Sequence, residues 1–124
     1  MRNLEITLSG TLMYLDKPLC NFKIECDTPV FFEQLSEDGP FWPLELHNEK
    51  NGYALIDALR EQVVPETRQG LLEDLRRVGI DGYDISKILK HQNASCFGTP
   101  YWVRFAGEGP QTWKELRRKI GYRD

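Results

Sequence analysis

The sequence predicts an α+β fold, with a small antiparallel sheet from an N-terminal hairpin plus one later strand packed against three to four helices. Residues 1–124 are expected to form a single domain, a length that suits one hydrophobic core. Three observations carry this. Apolar and polar residues alternate over Leu4 to Leu8 and again over Leu19 to Glu25, the period of a half-buried strand. From Tyr53 to Val78 the apolar residues fall at helical spacing, interrupted at Val64-Pro65. Tyr101-Trp102-Val103-Arg104-Phe105 then returns to residues that suit a pleated sheet.

Leu4 to Leu8 alternates as a strand, Gly10 marks a bend or bulge, and Leu12 to Leu15 resumes extended chain. Asp16-Lys17-Pro18 is turn chemistry, and Leu19 to Glu25 alternates again through Phe22 and Ile24, which gives a hairpin turning near Lys17. After a second turn at Asp27-Thr28-Pro29, Val30-Phe31-Phe32 fits a short third strand or the start of a helix reaching Leu35. Ser36 to Pro40 is a loop. Phe41 to Leu46 reads as extended because Pro43 disfavours helix at the residue before it, with Trp42 or Leu44 tucked against the helices.

Asn51 is placed to cap a first helix running to about Gln62, with Leu55, Ile56, Leu59 and Val63 on its inner face. Pro65 cannot continue that helix but suits the first turn of another. A second helix is therefore expected from Pro65 to about Val78, ending at Gly79, with Leu71, Leu72, Leu75 and Val78 as its stripe. Its Glu73–Arg77 pair would contribute ~0.3 kcal/mol. Neither helix would hold its shape alone at this length. Asp84 can cap a third helix from Ile85 to about His91, with Ile85, Ile88 and Leu89 inward. Asn93 to Pro100 is loop-like. Tyr101, Val103 and Phe105 share one side of the later strand, and Ala106 to Pro110 is a glycine-rich turn. Thr112 and Glu115 have capping-box spacing, opening a last helix with the stripe Trp113, Leu116 and Ile120.

Composition and motifs exclude several function classes. Hydrophobic residues make up 40% of the chain and aromatic ones 11%, which separates it from disordered sequences. No apolar run is long enough to span a bilayer, and Met1 to Ile6 lacks a signal-peptide pattern, so a cytoplasmic location is expected. The three cysteines lack CxxC spacing and the two histidines lack ligand spacing, which argues for reduced thiols, no metal site and no cofactor. Gly107-Glu108-Gly109-Pro110 is no phosphate loop, since no Lys-Ser/Thr follows and a proline stands where an amide is needed. The serines lack a nucleophile-elbow context. An enzyme is therefore not expected. The one enzymatic rival would use Cys96 as its reactive group.

Net charge is −3, unevenly spread. Residues 1–50 hold four Lys/Arg against nine Asp/Glu, and residues 51–124 hold twelve against ten. An acidic front half beside a mildly basic helical half suits a protein–protein surface better than a phosphate track. The densest basic run, Lys114, Arg117, Arg118 and Lys119 on the last helix, is the basis of the alternative reading, nucleic-acid binding.

The order Pro43-Leu44, Leu59-Arg60 to Pro65-Glu66-Thr67-Arg68, Leu71-Leu72-Glu73-Asp74-Leu75, Tyr101-Trp102-Val103 and Thr112-Trp113-Lys114-Glu115 resembles the N-terminal accessory region of HipA-like serine/threonine kinases of Firmicutes. The hairpin around Asp16-Lys17-Pro18 matches more loosely. In that family the Thr-Trp helix start leads into an Asn-Phe-Phe stretch and the kinase lobe, whereas here Arg117 to Asp124 follows, so kinase activity does not carry over. The resemblance implies a free-standing accessory piece, a regulator or inhibitor of antitoxin type that binds another protein. Analogy of size and context adds a phage or mobile-element anti-defence protein, such as an anti-CRISPR, as an alternative. Interfaces are dominated by aromatic and arginine anchors, which nominates Arg60, Arg68, Trp102, Arg104 and Trp113 as partner-binding residues. Two alternatives stay open here: core positions for Trp102 or Trp113, and pairs of Arg60 and Arg68 with Glu61 and Glu66.

Overall fold

The structure is a computed structural model, and it describes residues 2–96 and 99–119. In chain order its elements are β1 (Arg2–Asn3), β2 (Leu8–Tyr14), β3 (Lys17–Glu25), β4 (Thr28–Gln34), a 3-10 turn (Leu44–Leu46), α1 (Gly52–Glu61), α2 (Leu71–Arg77), β5 (Tyr83–Asp84), α3 (Ile85–Gln92), β6 (Tyr101–Arg104) and α4 (Trp113–Lys119). The fold is α+β. A four-stranded antiparallel sheet runs in the order β4-β3-β2-β6, and a two-stranded parallel pair joins β1 to β5. No helix among the described residues is long and apolar enough to cross a membrane.

The hairpin forms as its alternation predicts, with Tyr14 opposite Lys17 across a two-residue turn. Leu15 in that turn has φ +53°, a region that costs a side-chain-bearing residue roughly 1–2 kcal/mol. Both of its backbone polar groups are occupied. Its amide donates to the Pro100 carbonyl at 3.0 Å, and its carbonyl accepts the Trp102 indole N–H at 2.7 Å. Val30-Phe31-Phe32 belongs to β4, which settles the choice between strand and helix.

The two sheet faces differ. Leu8, Leu12, Cys20, Phe22, Ile24, Val103 and Phe105 point to the main core, where they meet Leu55, Ile56 and Leu59 of α1, Ile85 and Leu89 of α3, Trp42 and Leu46. On the opposite face Met13 and Trp102 are covered by Leu116 of α4, with Trp113 packed beside them. A third cluster joins Leu71, Leu75, Ile80, Tyr83 and Ile88.

Two glycines let backbone come close. A Cβ on Gly10 would lie 2.8 Å from the Arg104 carbonyl oxygen, so the strand passes through this position unbroken, without the bend expected there. The bulge lies at Leu12/Met13 in the β2–β3 pairing, where Leu19 is the extra residue and stays buried. A Cβ on Gly52 would lie 2.2 Å from that of Pro29, which seats the start of α1 directly on β4.

Local capping follows the sequence closely. Asn51 accepts the Ala54 amide at 2.8 Å, Asp84 accepts that of Lys87 at 3.2 Å, and Thr112 accepts that of Glu115 at 3.2 Å. The return contact of the last motif differs, because the Glu115 carboxylate accepts from Gln111 N–H rather than Thr112 N–H. Asp16, on the β2–β3 turn, accepts the Trp113 amide at 2.8 Å and so serves α4 from a distant part of the chain.

Five further expectations are corrected. Leu4 to Leu8 is not a strand, since β2 begins at Leu8 and the residues before it are held by side chains: Asp27 accepts Ile6 N–H and Ser86 accepts Thr7 N–H. No helix starts at Pro65. Residues 62–70 are turns and irregular chain, and α2 begins only after Gly70, whose φ of +76° is left-handed. Shortened in this way, α2 buries Leu71 and Leu75 but leaves Leu72 and Val78 exposed. Arg77 pairs with Asp74 at 3.4 Å instead of with Glu73. Phe41 to Leu46 is not extended, because turns lead into the 3-10 turn; Trp42 is buried with its indole N–H on the Glu37 carbonyl at 2.9 Å, while Leu44 is exposed. Ile120, expected on the α4 stripe, lies outside the described residues.

Candidate protein-interaction surface

The five nominated residues do not form one patch. Arg60 works inside the fold. Its guanidinium donates to Asp27 Oδ2 at 2.7 Å and to the Leu4 carbonyl at 2.9 Å, tying α1 to the β3–β4 turn and the N-terminal segment. Cys26 and Asp27 form that turn with φ of +48° and +62°, the geometry of a hairpin turn that usually carries glycine. Asp27 also accepts the Ile6 amide at 2.8 Å. Arg68 lies in the loop before α2 and pairs with Asp74, while Glu66 pairs with Arg2 at 2.7 Å. Neither arginine therefore takes the neighbouring glutamate as partner.

Trp102, Arg104 and Trp113 share the α4-bearing side of the sheet. Trp102 is 0% exposed, which places it in the core of this fold and corrects its nomination as an interface anchor. The reason is that α4 folds back over β6, so both sides of that strand are covered at its start. Trp113 is half-buried against the same cluster. Arg104 stands opposite Thr11 on the uncovered part of this face, where Thr11 donates to Asn21 and Asn21 to Glu33. Its guanidinium makes no ion pair among the described residues.

The surface that stands out lies elsewhere. Leu44 and Tyr53, at 78% and 68% exposure, are the most exposed large apolar side chains among the described residues. They flank Glu45, which contributes to two adjoining concavities. The deeper, of about 280 Å³, lies between the 3-10 turn, α1 and β6, with Leu12, Ala58 and Leu59 as its floor. The shallower holds Glu49, Tyr53 and Asp57. Glu45, Glu49, Asp57 and Glu61 make no ion pair among the described residues.

Polar groups at the deeper pocket are arranged locally. Gln62 Nε2 donates to the carbonyls of Ala94 and Tyr101 at 3.0 and 2.9 Å and faces Thr99 Oγ1 at 3.1 Å, so its donors are used within the fold. Tyr101 stacks at a tilt on Tyr14, 5.7 Å between ring centres. Burial holds the Tyr101 phenol above its ordinary pKa, with smaller contributions from Tyr14 and the Glu45 carboxylate.

A wider cleft of about 510 Å³ between β2, β3 and α3 is rimmed by Lys23, Lys87 and Lys90. Two of these cations are spoken for, since Lys23 pairs with Glu25 and Lys90 with Glu108, both at 3.2 Å. No group of three or more His, Cys, Asp or Glu able to hold a metal occurs among the described residues.

None of Leu44, Glu45 and Tyr53 is among the contact residues expected from sequence, where Trp42 or Leu44 is read as tucked inward. A signal existed. Tyr53, Asp57 and Glu61 recur every four residues on the side of α1 away from Leu55 and Leu59. Comparison with protein-family models, with curated proteins and with solved structures finds no match for this chain.

Proposed function

We propose that this chain is a non-enzymatic protein–protein interaction module that regulates or inhibits the protein whose surface it occupies. The observation that carries the reading is that Leu44 and Tyr53, two strongly exposed apolar side chains, each line one of two concavities that share Glu45. Exposed apolar groups grouped around a concavity mark contact sites more often than scattered ones. The resemblance to the accessory region of HipA-like kinases supports the same class of role, with a kinase core or a toxin partner as the occupant. The contact is assigned to the α1 side, since Arg60 serves the scaffold and Trp102 the core.

The test is affinity capture from cells that naturally produce the protein, with three baits: the native chain, Leu44→Glu/Tyr53→Glu, and Leu72→Glu. Leu72 is exposed on α2 and controls for loss of any surface apolar group. A protein retained by the native chain and by Leu72→Glu, and lost from the double variant with its circular dichroism unchanged, supports the reading. Equal recovery on all three baits, or no specific protein on any, removes it.

A further inference from the structure

We infer that the deeper pocket takes a lysine or arginine side chain from a basic segment of the partner, its carbon stem on the apolar floor and its charge between Glu45 and Glu61. This rests on the reading of the α1 side as the contact surface. The argument begins with the pocket. Leu12, Ala58 and Leu59 are all but fully buried and give the pocket, about 280 Å³ in volume, an apolar floor. That floor suits an aliphatic chain, and long cationic side chains bury such stems while keeping the head group in polar surroundings.

The rim has the opposite character. Glu45 and Glu61 stand exposed at the mouth without a cation, and the Gln62 amide donors are consumed by the chain's own oxygens. The carboxylates at the mouth therefore offer acceptors, which an ammonium or guanidinium, all donor and no acceptor, complements. Nearby cations are turned to other work. Lys50 pairs with Asp38 at 3.2 Å with its ammonium over the Trp42 ring, and Arg60 pairs with Asp27. Beyond Glu45 the surface continues through Glu49 and Asp57, so residues flanking the inserted side chain should be basic as well. Charge complementarity of this kind fixes partner choice more than raw affinity.

The probes are Nα-acetyl-lysine methylamide, its neutral analogue Nα-acetyl-norleucine methylamide with the same aliphatic stem and no head group, n-butylammonium, and a Lys/Arg-rich dodecapeptide, each titrated into the isotope-labelled full chain by NMR. The lysine compound and the basic peptide should move the amide signals of Ala58, Leu59, Gln62 and Tyr101, and the norleucine compound should not. Glu45→Gln/Glu61→Gln should weaken the peptide about fivefold, as expected for two partly exposed ion pairs. Equal shifts with norleucine, or unchanged affinity in the double Gln variant, overturn the cationic assignment and leave the protein-contact reading standing. Binding of n-butylammonium as tight as that of the peptide overturns a partner chain as the source of the charge. Shifts confined to other regions overturn the pocket itself. Loss of capture by Leu44→Glu/Tyr53→Glu is read separately, so failure of the broader reading is distinguishable from failure of this one.

Discussion

Replacing Arg60 by methionine should destabilise the fold by about 2 kcal/mol while leaving its shape intact. The side chain makes two charge-assisted contacts, to Asp27 Oδ2 at 2.7 Å and to the Leu4 carbonyl at 2.9 Å. Hydrogen bonds to charged groups are worth ~1.5–3 kcal/mol when shielded. Here both side chains are about one-third exposed, 36% for Arg60 and 34% for Asp27, so screening reduces each contact to roughly 1 kcal/mol. At this chain length 2 kcal/mol corresponds to a Tm lower by roughly 8 °C. Asp27→Asn keeps an acceptor for the Ile6 amide and tolerates left-handed backbone, so it isolates the charge. A double-mutant cycle of Arg60→Met with Asp27→Asn, measured by urea denaturation followed by circular dichroism, should give a coupling near 1 kcal/mol. Glu61→Gln should cost under about 0.5 kcal/mol, as a surface change with no partner lost. Additive single effects, or a larger loss from Glu61→Gln than from Arg60→Met, would refute the strut.

Gly52→Ala would ordinarily favour a helix by up to ~1 kcal/mol, but a Cβ 2.2 Å from that of Pro29 forces α1 off β4, so a net loss of about 2 kcal/mol is expected in the same denaturation assay. Gly70→Ala meets no neighbour, so only its φ of +76° opposes it; a loss of ~1 kcal/mol is expected, and Gly70→Asn should lose less. Burial pushes the Cys20 thiol up to about 12 from an ordinary 9.0. Between these values the unfolded chain gives up this proton and the folded chain keeps it, so stability should fall as pH rises above 9, by roughly 1 kcal/mol per unit from this group. A flatter pH dependence in Cys20→Ala, compared between pH 8 and 10.5, checks it.

Much of the local structure was legible because its causes are local. Asn51, Asp84 and Thr112 cap their helices from within the same turn, and the inward residues of α3 follow directly from its periodicity. What failed was decided at a distance or by a competing local signal. Pro65 suggested a helix start, but Gly70 adopts a left-handed conformation that holds α2 back to Leu71. The pairing of Arg2-Asn3 with Tyr83-Asp84 joins two-residue strands some 80 positions apart and leaves no periodic trace. Arg60 found Asp27 rather than its neighbour Glu61 because hairpin and helix meet only in the folded chain. Trp102 could have been anticipated. Three consecutive apolar residues, Tyr101-Trp102-Val103, indicate a strand covered on both sides.

The sheet is sealed unequally. One side rests on the main body of the molecule, while the other is covered in part, among the described residues, by the seven-residue α4, held by Leu116, the flank of Trp113, a carboxylate borrowed from Asp16 and a Lys119–Asn93 hydrogen bond. Lifting that flap would wet the Trp102 indole while its N–H stays on the Leu15 carbonyl of the β2–β3 turn, without disturbing the larger interior. The protein thus carries its own optical gauge of partial opening: a red shift in tryptophan emission that precedes loss of the backbone signal would report the flap alone.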